Sequence, residues 1–354
     1  MRLKRFLLVL LISLMCLSVP SFVFAVTDTE SRVQEKLEAG LEVSNKSLTD
    51  RITTEEIAEI EAKYQTYLKQ EEKYEIQIAE SLRSSTGNEE MYNLVLSTEK
   101  EDKISAMKEM ILFIKESPSI KEEHRNQFNS YISKYAPYVD EQFIREYYNT
   151  ISVKSVQEYR KASNFNTLNN WSYNSTNAVN YALNNYNNYN SSYPNVTALG
   201  GDCANFVSQS LYAGGIPMNG SWYVYKKNST YPSPQTVAEL DHSWTLASPS
   251  PWISAKEFNA KWYPIFSNET FSGSYVYDNK STIYNKSYYK GDVVQILKKN
   301  FWWYEAFHTM IITGYSNGDF TLSYHTTNTK DKALNSIASG YTSSNYQFIF
   351  YSVK

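Results

Sequence analysis

A lone cysteine stands at the start of a helical pattern in the stretch Gly-Gly-Asp-Cys-Ala-Asn-Phe-Val-Ser-Gln, residues 200–209. Apolar residues recur after it at helical spacing until the glycines at 214–215 end the pattern. Asp202 is a residue type that caps helices by accepting from amides one turn on. Cys203 then lies at the positive end of the helix dipole, which favours a thiolate. The position predicts a nucleophile; the alternative is a small buried hydrophobic residue.

The first 25 residues have the pattern of a secretory signal peptide. Three basic residues precede an apolar run, and Val23-Phe24-Ala25 places small residues at the cleavage-determining positions. Removing this segment also removes Cys16 and leaves Cys203 as the only cysteine. An exported chain with one cysteine cannot form an internal disulfide, which strengthens the prediction of a working thiol. We therefore expect a secreted, extracellular protein that can associate with the cell wall.

Charge is spread unevenly over the 354 residues, whose formal net charge is −3. The acidic excess lies in residues 26–162, whereas residues 163–354 are close to neutral. The change predicts two modules, a helical N-terminal domain (26–162) and a second domain (163–354). No basic cluster of the nucleic-acid-binding kind occurs, and no apolar stretch after residue 25 is long enough to span a membrane. Neither a nucleic acid nor a membrane is an expected partner.

The N-terminal module has the pattern of a helical bundle or hairpin. Thr53 and Glu56 have the spacing of a capping box, and an amphipathic pattern follows as far as the break at residues 84–88. A second helix ends at Ser117-Pro118. This module offers a surface for a protein partner, or a cover for a site in the other domain.

The second module changes from helices to strands along the chain, which predicts an α+β domain. Residues 219–290 contain Trp222, Trp244, Trp252 and Trp262 among turn formers, and packing in a core is favoured over an exposed peptide or glycan groove. Strand patterns follow at residues 292–297, 307–314, 320–325 and 347–353.

Two histidines flank a predicted hairpin. Asn317-Gly318 is the signature of a tight turn between the second and third of these strands. If the turn centres there, residue 308 falls opposite residue 327, so His308 and His325 come out at the same end of the sheet.

Hydrolysis of an amide by a cysteine needs a thiolate, an imidazole, a group that orients the imidazole, and donors for the oxyanion. Cys203 is the candidate nucleophile and His308 the candidate general base and acid, with its ring over the helix terminus. His325 would orient His308, with Asn328 as the alternative. The oxyanion would be bound by the amide of Cys203, aided by a group near Asp202.

Another histidine competes for the role of base. His242 follows Asp241, and the two could form a dyad in the irregular region, so His242 ranks second to His308. A metal site is the weaker alternative because His-Glu-x-x-His and a cysteine pair are both missing. Thiol–imidazole chemistry requires no cofactor, and none is expected.

The C-terminal module resembles the putative amidase domain of Gram-positive bacteria, a relative of the papain-like cell-wall cysteine hydrolases. The resemblance rests on the Gly-Gly-Asp-Cys block with its continuation to residue 218, on Gly-Asp-Val-Val at 291–294, on His-Thr-Met-Ile-Ile at 308–312 and on Tyr-His-Thr at 324–326. It implies a papain-like fold, in which a helix bears Cys203 and an antiparallel sheet bears His308, and it implies that His325 is the third member.

These observations lead to two hypotheses. The first is an exported cysteine amidase or peptidase that hydrolyses amide bonds in peptidoglycan stem peptides, with peptidoglycan or a peptide as substrate. The alternative is a non-catalytic wall-binding or scaffolding protein with a papain-like domain.

Overall fold

The computed structural model describes residues 28–41, 52–117, 119–135, 171–247, 250–263 and 265–353. The predicted signal peptide and the predicted domain boundary near residue 163 lie outside the described residues. The helices of the N-terminal part are α1 (Asp28–Leu41), α2 (Thr54–Thr86), α3 (Glu90–Leu96), α4 (Lys100–Glu116) and α5 (Glu122–Tyr135). The helices of the C-terminal part are α6 (Ser175–Asn185), α7 (Cys203–Ala213), α8 (Val237–Ser243), α9 (Ala255–Trp262), α10 (Gly273–Asp278), α11 (Lys280–Tyr284) and α12 (Leu334–Ala338).

The strands of the C-terminal part form a small ribbon and a larger antiparallel sheet. The ribbon pairs β1 (Val224–Lys226) with β2 (Trp244–Leu246). The larger sheet contains β3 (Ser267–Ser272), β4 (Val293–Asn300), β5 (Trp303–Ser316), β6 (Asp319–Tyr324), β7 (Thr329–Ala333) and β8 (Tyr346–Ser352), in the order β3-β8-β4-β5-β6-β7. The mixture of helix and antiparallel sheet confirms the α+β class.

Local signals in the sequence correspond well to these elements. Thr53 and Glu56 form both hydrogen bonds of a capping box, and α2 ends at Gly87 in the left-handed conformation. Asn317 and Gly318 both have positive φ, 52° and 65°, as a tight hairpin turn between β5 and β6 requires. The helix α3 and the edge strands β3 and β7 were not among the predicted elements, because they are short and half-exposed.

Two apolar clusters cover the two faces of the large sheet. On one face, α7 packs with Val293, Ile311 and Ile349. This cluster contains all four tryptophans at positions 222, 244, 252 and 262, which confirms that they belong to the core. On the other face, Met310 and Phe350 pack with α10, α11 and α12 and with one side of α2. Helix α2 therefore belongs to the N-terminal helical part and also completes the core of the C-terminal part.

Candidate active site

Helix α7 begins at Cys203, as predicted, but Asp202 does not cap it with its side chain. The Oδ1 atom of Asp202 accepts from the amide of Val196 (2.9 Å) and from the side chain of Asn205 (2.8 Å) instead. The first amides of α7 therefore have no side-chain cap. Uncapped amides at a helix N-terminus can bind a developing negative charge.

Both ring nitrogens of His325 form hydrogen bonds. Its Nδ1 atom lies 2.6 Å from Oδ2 of Asp202, and its Nε2 atom lies 2.8 Å from the carbonyl oxygen of Asn185. A carbonyl only accepts, so Nε2 carries a hydrogen, and a proton is shared between Nδ1 and the buried carboxyl. The ring is also sandwiched by Phe206 and Tyr189. His325 thus holds Asp202, the neighbour of Cys203, and neither nitrogen is free to accept the thiol proton.

His308 lies on the opposite face of the sheet from Cys203, contrary to the predicted placement of its ring over the helix terminus. Its strand contains two irregularities, an extra residue at Phe307 opposite β4 and another at Thr313 opposite β6. Between these bulges His308 pairs with Ile296 and stands edge-on to Tyr324, with ring centroids 4.7 Å apart.

The surroundings of His308 also differ from those of a general base. The ring is 1% exposed, and its Nε2 atom has no hydrogen-bond partner among the described residues. Burial lowers the pKa of His308 to about 3, so the imidazole is neutral at physiological pH. His325 lies on the other face of the sheet and does not contact the His308 ring, so it cannot orient that ring.

Thr309, the next residue along β5, occupies the place expected for the histidine. Its backbone and its side chain both face the Cys203 thiol and act to lower the thiol pKa. The side chain of Gln295 donates to the Thr309 hydroxyl (2.8 Å) and to the carbonyl oxygen of Ala255 (2.8 Å), and Tyr351 donates to Gln295 (3.0 Å). This buried chain of hydrogen bonds fixes the side chain that touches the sulfur.

The thiol is neutral in this arrangement, which corrects the expectation of a helix-stabilised thiolate. Burial raises the pKa of Cys203 to about 11, although Thr309 and the backbone of Ala204 act to lower it. Only 6% of Cys203 is exposed, so the loss of hydration outweighs the helix terminus.

The remaining candidates lie away from the thiol. Asn328 is exposed and accepts a hydrogen bond from Tyr189 (3.3 Å), so it contacts a neighbour of His325 and not His308. His242 is exposed on α8 and stands edge-on to Tyr231 at 5.4 Å. Its neighbour Asp241 is exposed and forms no dyad with it.

A cavity of about 120 Å³ opens beside Cys203. Its walls come from the loop before α7, from α8, from the first turn of α9, from the bulge at Ala306 and Phe307, and from α2. A β-bulge beside a site is a common way to re-aim side chains. The contribution of α2 means that the helical part of the chain completes the site.

Several residues of the site were not predicted from the sequence. Asn205 joins Asp202 to the carbonyl oxygen of Pro194 (2.6 Å) and accepts from Trp252 (2.9 Å). A buried polar residue inside an apolar helix was the available signal. Gln295 and Thr309 are likewise polar residues inside apolar strand patterns.

By its fold and its site, the protein is an α+β protein that carries a buried cysteine at the N-terminus of a helix. Residues 172–351 match the family model described as the putative amidase domain, and the chain belongs to that family. Neither a curated protein nor a solved structure matches the chain.

The described residues contain no group of three or more histidine, cysteine, aspartate or glutamate residues suited to a metal ion. None of their helices combines the length and the apolar character needed to cross a bilayer.

Proposed function

We propose that the chain is an exported cysteine amidase or peptidase that hydrolyses amide bonds in peptidoglycan stem peptides, with the papain-like pairing of a cysteine helix and a sheet. The observation that carries the proposal is Cys203. It stands at an uncapped helix N-terminus, it lines a cavity, and it lies inside the part of the chain that matches the amidase family.

The proposed reaction has two steps. The sulfur of Cys203 forms a bond to the amide carbonyl carbon, the carbon–nitrogen bond breaks, and the thiol proton leaves with the amine. Water then hydrolyses the thioester and regenerates the thiol. The amides at the start of α7, which have no side-chain cap, would bind the oxyanion.

The proton carrier requires a rearrangement of the described site. No hydrogen bond joins the thiol to an imidazole in the described part of the chain. His325 lies on the same face of the sheet as Cys203, and His308 lies on the other face. We propose that this arrangement is a resting one, and that His325, on the Cys203 face of the sheet, reaches the thiol when the site opens.

Hydrolysis is tested with the mature protein and purified peptidoglycan by measuring newly released amines. Cys203→Ala should abolish the release. Ser210→Ala, which removes a buried hydroxyl from the same helix, is the matched control and should retain it. Release by Cys203→Ala at the wild-type rate would refute the proposal. A larger loss of release in His325→Ala than in His308→Ala, on the other face of the sheet, would identify His325 as the proton carrier.

A second candidate function is a wall-binding or scaffolding protein without turnover. It is favoured by one observation, the buried thiol with a raised pKa and no imidazole contact. Retention of both wild type and Cys203→Ala on peptidoglycan, with no released amine from either, would support it.

A further inference from the structure

Helix α2 packs closely against the backbone of Gly200 and Gly201, which leads into Cys203. Gly200 and Gly201 both have φ of 113°, which side chains other than hydrogen rarely tolerate. A methyl group on Gly200 would lie 3.1 Å from Cβ of Tyr67, and one on Gly201 would lie 3.6 Å from Cβ of Lys63. The helix therefore covers the approach to the thiol.

Three glutamates of α2 pair with lysines of the C-terminal part. Glu56 pairs with Lys332 (2.6 Å), Glu61 with Lys298, and Glu71 with Lys256. At 1.5 Å per residue these glutamates span about 22 Å of the helix. The lysines form a row that an acidic, elongated segment fits, and α2 is such a segment.

The last of these pairs reaches the candidate site. Lys256 is the one charged residue among the described residues that line the cavity beside Cys203. Burial alone would raise the pKa of Glu71, but Lys256 and Lys134 together lower it to about 2, so a carboxylate faces Lys256. The nearby Glu257 lies 3.7 Å from Lys256 and is the weaker partner.

The other charges of this cluster lie on α5 and β5. Lys134 contacts Glu71 (3.1 Å), Glu75 (2.5 Å) and Glu305 (3.7 Å). The protein's own carboxylates therefore neutralise the charge of Lys134, and it is not a candidate for binding the substrate.

We propose that α2 occupies the binding surface for an acidic peptide substrate, and that Lys256, Lys298 and Lys332 recognise the carboxylates of that substrate. Glu71 stands in for the carboxylate nearest to the scissile amide. This inference rests on the proposed function for the identity of Cys203 as nucleophile. The experiments below measure the accessibility of the thiol and the charge around it, and neither measurement requires turnover.

The covering role is tested by the rate at which iodoacetamide alkylates the sole thiol of the mature full-length protein. Glu61→Lys opposes Lys298 and should speed alkylation by at least about five-fold at neutral pH. The charge swap Glu61→Lys with Lys298→Glu restores the pair and should return the rate to within about two-fold of wild type. Glu72→Lys, on the exposed side of α2, is the matched control. Equal rates in Glu61→Lys and Glu72→Lys would overturn the covering role.

Carboxylate recognition is tested by comparing iodoacetate with iodoacetamide, because the two reagents share a reactive carbon and only iodoacetate carries a carboxylate. Glu71→Gln frees Lys256 and should raise the ratio of the two rates by about five-fold or more. Glu71→Gln combined with Lys256→Gln should lose that rise. A ratio that does not change between these variants would overturn Lys256 as the recognition residue, whether or not the protein hydrolyses peptidoglycan.

Discussion

The Nδ1 atom of His325 lies 2.6 Å from the Oδ2 atom of Asp202, and both side chains are buried. The contact joins the end of β6 to the residue that precedes Cys203. Because the other ring nitrogen faces the carbonyl oxygen of Asn185, the pair is a fully bonded anchor for the start of α7. The position of the thiol depends on this anchor.

Replacing Asp202 with asparagine should destabilise the protein by about 2 kcal/mol, because it disrupts the buried hydrogen bond between Asp202 and His325. Urea unfolding at pH 7 measures the change in the free energy of unfolding. Asp241→Asn, at an exposed aspartate, should change it by less than about 0.5 kcal/mol. Similar values for the two variants would show that the pair is not an anchor.

The Cys203 thiol should react slowly with iodoacetamide at neutral pH. A pKa of about 11 implies about 300-fold less thiolate than an ordinary thiol with a pKa near 8.5. The alkylation rate of the mature wild-type protein should therefore continue to rise between pH 8 and pH 10. A plateau below pH 8 would contradict the neutral, buried thiol and would favour an ion pair with an imidazole.

His308 should make the protein acid-sensitive. Its pKa is lowered from 6.5 to about 3, so the neutral buried ring contributes stability above pH 6.5 that is lost as the pH falls toward 3. The contribution changes by up to about 1.4 kcal/mol per pH unit.

Urea unfolding of wild type and His308→Leu at pH 7.5, 6.0 and 5.0 measures this dependence. The leucine variant should lose less stability on acidification than wild type does. His242→Gln, at an exposed histidine, should retain the wild-type dependence. If all three proteins lose the same amount, protonation of His308 is not the cause.

The Thr309 hydroxyl should support both the fold and the thiol. Thr309→Val leaves the amide of Gln295 with one acceptor fewer and should cost about 1 to 2 kcal/mol in the free energy of unfolding. It should also shift the alkylation profile of Cys203 to higher pH, because the threonine side chain lowers the thiol pKa. Thr309→Ser keeps the hydroxyl and should restore the profile; if it does not, the effect belongs to packing.

Much of the fold is predictable from short-range patterns. The capping box at Thr53, the hairpin turn at Asn317, the helix from Cys203 and the burial of the four tryptophans all depend on neighbouring residues or on hydrophobicity. The family resemblance could also be stated from the motifs alone, and the match over residues 172–351 confirms it.

The sequence by itself therefore determined the helices and strands around the site, the α+β class and the family. Only the tertiary structure decided which side chain meets the thiol. An uninterrupted strand running back from Tyr315 would point His308 toward α7, but the extra residue at Thr313 reverses the faces and presents Thr309. The covering of Cys203 by α2 likewise depends on contacts more than a hundred residues apart in the chain, which no local pattern encodes.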